Sequence, residues 1–195
     1  TYKEEELNKT AIVLADEKLL IPLLNSLPKN ISAVNITMGV PLKTFPATAF
    51  FELLLALHLY PSDTLYYKDV LAILNHPLAP SLISENHIIL EGIRNQNLSH
   101  PSLETLCGLS KGQNKQILAL LFGNWQNNSQ TALNACLSVL IQLRGTLSEK
   151  PIDLAVLHQL HEGFLKIEAL NNSFSHLKSI KTVQSLFIEH TETAT

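Results

Sequence analysis

From Thr44 onward, apolar residues recur at helical spacing through almost the whole chain, and this pattern constrains the fold more than any other feature. Phe50, Leu53, Leu54 and Leu57 fall at i, i+3, i+4 and i+7. Residues at that spacing share one face of an α-helix and must be buried against another element. The same spacing relates Val70, Ile73 and Leu74, then Ile89 and Ile93, then Ala132, Leu133, Cys136, Leu137, Leu140 and Ile141. It returns in Leu154, Leu157, Leu160, Phe164, Leu165 and Ile167. Prolines and polar clusters punctuate the series at Pro61-Ser62-Asp63, Pro77 to Ser81, Gly123 to Asn128 and Asn171-Asn172-Ser173. The punctuation predicts helices from about Phe45 to Tyr60, from Tyr66 to a stop before Pro77, and over Leu82 to Asn95, Ser102 to Leu106 and Gln113 to Phe122. Three more are expected: a helix capped by Ser129 and running to Gly145, one from Pro151 to Leu170, and one from Ser175 to Glu189. A polar, frayed tail from Thr191 to Thr195 is expected to follow.

The first 44 residues read differently. Thr10-Ala11-Ile12-Val13-Leu14-Ala15 is a short apolar run rich in β-branched residues, and Val34-Asn35-Ile36-Thr37 is a second one. Between them, Asp16 is placed to cap a turn over 17–20 and a helix over 21–27, with Pro22 near its start. Strand, helix and strand in this order predict a parallel pair joined by a right-handed crossover. The expected architecture is therefore mainly α: a small α/β unit over 1–44, then a multi-helix domain over 45–195. Two parallel strands cannot cover both faces or both edges. They must lean on the helices or belong to a larger sheet.

Composition narrows the function classes. Hydrophobic residues make up 46% of the 195 residues, charged residues 16%, and leucine alone about a fifth. This excludes intrinsic disorder, which needs low hydrophobicity and high charge. With a net charge of −3 and Arg94 and Arg144 as the two arginines, strong electrostatic attachment to nucleic acid is not expected. The most apolar run, Phe50 to Leu59, carries Glu52 and His58 and is half the length of a membrane span. The acidic start lacks the apolar stretch of a signal peptide, the absence of an initiator methionine points to an internal fragment, and a cytoplasmic location is expected. Cys107 and Cys136 lie in leucine-rich segments and are expected to be reduced core thiols. The seven glycines form neither phosphate-binding pattern, GxxxxGK[ST] nor GxGxxG. The residues point to no catalytic group, cofactor or metal. His158, His161 and Glu162 share a helix but lack a third ligand at convincing spacing, and the adjacent carboxylates Asp16 and Glu17 point apart. Four residues stand out as candidate DNA or partner contacts. Trp125, in a polar turn, can stack on a base or seal the edge of a core. Lys166, Lys178 and Lys181 can touch a phosphate backbone or simply form a solvated face. Tyr66-Tyr67 is a further candidate surface, with Tyr66 the ring placed for packing.

Two segments resemble a known family. Thr10 to Pro28 (Thr-Ala-Ile-Val-Leu-Ala-Asp-Glu-Lys-Leu-Leu-Ile-Pro-Leu-Leu-Asn-Ser-Leu-Pro) and Val34 to Lys43 (Val-Asn-Ile-Thr-Met-Gly-Val-Pro-Leu-Lys) are similar to the large PD-(D/E)XK nuclease family proteins of Bacteroidetes. Those proteins are akin to the AddB-like and RecC-like helicase–nuclease subunits. In UvrD/Rep-like helicases, the matching stretch opens the second motor domain, 2A. Tyr66 to Pro77 (Tyr-Tyr-Lys-Asp-Val-Leu-Ala-Ile-Leu-Asn-His-Pro) resembles the start of the helical insertion, domain 2B. The resemblance covers residues 10–80. It implies a non-catalytic segment of an exonuclease engaged in double-strand-break processing and recombinational repair. The remainder of the parent chain, a helicase subunit and DNA would be its partners, with the ATP-binding and nuclease motifs outside this chain. The residues equally admit a free-standing helical interaction module that holds its N-terminal segment within its own fold.

Overall fold

In the computed structural model, residues 10–28, 31, 34–36, 39–112, 114–147, 151–174 and 178–194 are described. The chain divides into two units, Thr1–Val40 (with Thr195) and Pro41–Ala194. It is mainly helical, with ten α-helices among the described residues.

In the first unit, a 3-10 turn over Glu17–Leu19 leads into α1, Leu20–Ser26. Asp16 sets the turn: its Oδ1 accepts the Lys18 amide at 2.9 Å and its carbonyl accepts the Leu19 amide at 3.1 Å. Pro22 falls in the first turn of α1, where a missing N–H leaves no helical bond unmade. The expected strands on either side are not formed. No strand forms over residues 11–14 or 34–36 among the described residues, and Thr37 lies outside them. Ile12, Val34 and Ile36 are exposed, and Val13 is 91% exposed. β-branched composition marks a segment suited to a pleated, half-buried surface. Two lone strands do not supply one, because an isolated pair is at best marginally stable in water.

The second unit begins with a 3-10 turn, Leu42–Thr44, and α2, Pro46–Leu57, with Pro46 at the first helical position. Then follow α3 (Tyr67–Leu74), α4 (Ala79–Leu82), α5 (Asn86–Asn95), α6 (Leu103–Leu109), α7 (Lys115–Phe122), α8 (Ser129–Thr146), α9 (Pro151–Ser173) and α10 (Ile180–Thr193). One core runs from Leu42 to Phe187. At its centre Phe164 of α9 stacks on Phe187 of α10, with ring centroids 4.8 Å apart, and meets Phe51 of α2 edge-on at 5.4 Å. Cys136 is fully buried in α8, while Cys107 is half-buried against the same core; both are free thiols. Burial pushes the Cys136 thiol far up from its ordinary range. Leu42 and Ala194 close the unit on itself, the Leu42 amide donating to the Ala194 carbonyl at 3.1 Å.

The helix ends correct the sequence reading in several places. The segment Pro77 to Ser81 is not all loop, because Pro80 sits in the first turn of α4. Helix α5 starts at Asn86 rather than Leu82, since Glu85 adopts a left-handed conformation at φ 52°. The cap of α8 is Asn128, whose side chain accepts the Thr131 amide. Ser129 is instead buried in the first turn, where its hydroxyl donates to Asn171 Oδ1 at 2.6 Å. The last helix is capped by Ser179 and runs to Thr193, with Thr191 fully buried, so the end of the chain is not frayed there. The expected start at Ser175 lies outside the described residues.

Candidate contact surface

Trp125 follows the C-terminus of α7, in the polar connection to α8. Positive φ at Gln126 and Asn127 turns the chain there, and Asn124 Nδ2 donates to Asp63 Oδ1 at 3.0 Å to tie the connection to the α2–α3 loop. The indole is turned inward and only 4% exposed. Its Nε1–H donates to the Leu120 carbonyl at 3.2 Å. One ring face is covered by His58, stacked at 3.7 Å between centroids and 17° between planes. Of the two roles open to Trp125, this conformation has it sealing the core, with no ring face offered to a base. His58, just past α2, is buried and its Nε2–H donates to the Leu121 carbonyl at 2.8 Å. Burial outweighs that bond and lowers the imidazole from 6.5 to about 4. A neutral ring can stack flat on an indole at no charge-desolvation cost.

The three lysines are exposed and lie on the α9–α10 hairpin. Lys178 precedes the Ser179 cap and Lys181 is in the first turn of α10, so both sit at one end of the hairpin. The Lys178 carbonyl accepts the Ser129 amide at 3.0 Å, which fixes its backbone against α8. Lys166 is seven residues before the end of α9, or about 10 Å along the axis. Carboxylates alternate with these cations: Glu168 accepts from Gln130 at 2.7 Å, and Glu162 lies 3.9 Å from His161. His158 is exposed on the same helix, and no group of three metal-ligating side chains is found among the described residues.

One surface cluster has no counterpart in helical periodicity. Thr64 and Ser102 form an antiparallel bridge, flanked by Leu65 N–H to the Pro101 carbonyl and Tyr67 N–H to the Ser99 carbonyl, both at 3.0 Å. This pairing places His100 beside Tyr66, with ring centroids 5.7 Å apart. Tyr66 is 42% exposed, stands edge-on to Tyr67 at 5.1 Å, and carries the Lys68 ammonium 5.8 Å from its ring centre. The inward ring is that of Tyr67, which packs on the core, so the expected order of the two tyrosines is reversed. Tyr66 precedes α3 in an extended conformation, which turns it away from the buried face that Val70 and Ile73 define. Apolar spacing within one helix cannot reveal a contact made by two loops about 35 residues apart.

The described residues also line depressions in the surface. One, of about 520 Å³, is open and lined by Leu82, Gly112, Asn114, Lys115, Ile117 and Gln142 among others. Asn114 there pairs with the Ser84 backbone in both directions, at 3.1 and 2.9 Å. Another, of about 230 Å³, has a mixed lining and lies among Phe45, Leu78, Ser81, Leu147, Asp153 and Val156. No helix among the described residues is long and apolar enough to cross a membrane. No protein-family model matches the chain, and neither the curated proteins nor the solved structures include a significant match to it.

Proposed function

We propose that the chain is a non-catalytic, helicase-like scaffold segment of a cytoplasmic helicase–nuclease that processes DNA double-strand breaks for recombinational repair. The observation that carries this reading is the exposed apolar pair of segments around α1. Ile12, Val13, Val34 and Ile36 have the composition of buried strands yet lack cover, and they lie in the stretch that resembles the opening of motor domain 2A. In this reading they become strands when the rest of the motor supplies backbone partners, and Pro41–Ala194 plays the part of domain 2B. Its contribution is to position DNA or a helicase subunit rather than to cleave.

A second reading has an observation of its own. The Pro41–Ala194 unit encloses a continuous core and joins its two ends through Leu42 and Ala194. Such closure suits a free-standing helical interaction module unrelated to nucleases.

Under the scaffold reading the chain grips DNA weakly by itself, because its balance is acidic and Lys166, Lys178 and Lys181 are interleaved with carboxylates. Fluorescence anisotropy with labelled duplex and forked DNA at about 0.15 M salt is expected to give no saturable binding below micromolar protein. ATP hydrolysis and DNA cleavage are expected to stay at the blank. Sub-micromolar affinity that falls steeply with salt would show direct phosphate attachment and overturn the scaffold role.

A further inference from the structure

His190 lies near the C-terminal end of α10, where that helix crosses α9. The contact is close because residue 163 is glycine: a Cβ there would overlap the His190 ring. The Gln159 backbone near the ring favours protonation of the imidazole, but burial outweighs it. The ring's Nε2 is shut off from solvent and has no hydrogen-bond partner. A neutral imidazole tolerates this, because an unprotonated Nε2 has only a lone pair to leave unmet. A protonated Nε2–H would be a buried cationic donor without an acceptor, which is far more costly.

We propose that His190 is an acid-sensitive latch: protonation of Nε2 expels the ring from its seat against Gly163 and releases the C-terminal turn of α10. That turn is the element that closes the helical unit, through buried Thr191 and the Leu42 N–H to Ala194 carbonyl bond. The charge that bears on the ring is the Lys166 ammonium on α9, and it opposes protonation. The elements packed against α10 carry other titratable groups. They are Asp153, His158, His161, Glu162 and Glu168 on α9, Glu52 on α2, Arg144 on α8 and Lys43 on the 3-10 turn. On α10 itself are Lys181, Glu189 and Glu192, the last 3.8 Å from Lys43. None of these carboxylates offsets burial and Lys166, and the imidazole lies below its ordinary 6.5. The sign follows: the seated ring binds a proton more weakly than the released ring. The latch is therefore closed above pH 6.5 and loosens as pH falls below it. This inference does not depend on the scaffold reading.

Hydrogen exchange of the full chain, corrected for the intrinsic pH dependence, tests it at about pH 7.5 and about pH 5, on either side of an ordinary histidine titration. The expected result is a several-fold loss of protection over 187–194 in the wild type at the lower pH. In His190→Gln, which stays neutral, that loss should shrink to about twofold or less. In Lys166→Gln, which removes the opposing charge, it should be smaller than in the wild type; this arm decides the matter if His190→Gln does not fold. No loss in the wild type, an equal loss in the variants, or a loss spread evenly through α7 would each overturn the latch.

Discussion

Phe164→Ala is expected to destabilise the Pro41–Ala194 unit by about 3–5 kcal/mol, the range for deleting a fully buried phenyl ring. The ring is fully buried and holds three helices at one point, Phe51 of α2 at 5.4 Å and Phe187 of α10 at 4.8 Å. The loss combines the transfer of the ring to water with a cavity that the facing rings cannot close. Leu165 gives the matched comparison, because the next residue along α9 is exposed. Leu165→Ala should cost no more than about 0.5 kcal/mol, as surface substitutions do. Urea unfolding followed by far-UV circular dichroism reads both values. Equal costs at the two positions would contradict the core described above.

The second large effect is acid destabilisation through His58. The folded unit holds this imidazole at about 4, against 6.5 in the unfolded chain. Between those values the unfolded state binds the proton and the folded state does not. Stability is therefore complete above pH 6.5 and falls as pH drops toward 4. The whole window is worth about 3 kcal/mol at ~1.36 kcal/mol per unit. His76 shifts in the same direction because it is half-buried against Phe50, and it steepens the fall. His58→Gln should remove most of the pH dependence while costing some stability at neutral pH. Trp125→Phe, which keeps an aromatic cover, should preserve the dependence. Urea midpoints measured across the pH 4 to 6.5 range check both variants. A wild-type midpoint that does not move would contradict a neutral, buried His58.

What the sequence reveals follows from what each signal measures. The buried face of α2 and that of α3 were legible because Phe50 and Leu54, or Val70, Ile73 and Leu74, carry their own spacing wherever the helix packs. The turn at Asp16 and the stop before Pro77 were legible because the conformational restriction belongs to the residue itself. The N-terminal strands were misread because β-branched residues report a preference for a pleated surface, and such a surface exists only if other strands provide it. Ser129 and Asn128 are both good caps, and the choice between them was made by Asn171, 42 residues away in sequence, which takes the serine hydroxyl. Trp125 shows the same limit: the polar turn around it leaves two roles open, a ring that stacks on a base or one that seals the edge of the core. Its role was set by His58, a residue of α2's C-terminal end that no local pattern brings to it.

The claim that this chain serves double-strand-break repair is tested most directly in cells that carry it. Deleting the encoding gene, followed by exposure to an agent that breaks both DNA strands, should reduce survival well below that of the parent strain. The intact gene should restore it, and a copy lacking the sequence for residues 10–36 should not. Survival equal to the parent strain across the dose range would contradict the repair role and leave the free-standing interaction module as the better account.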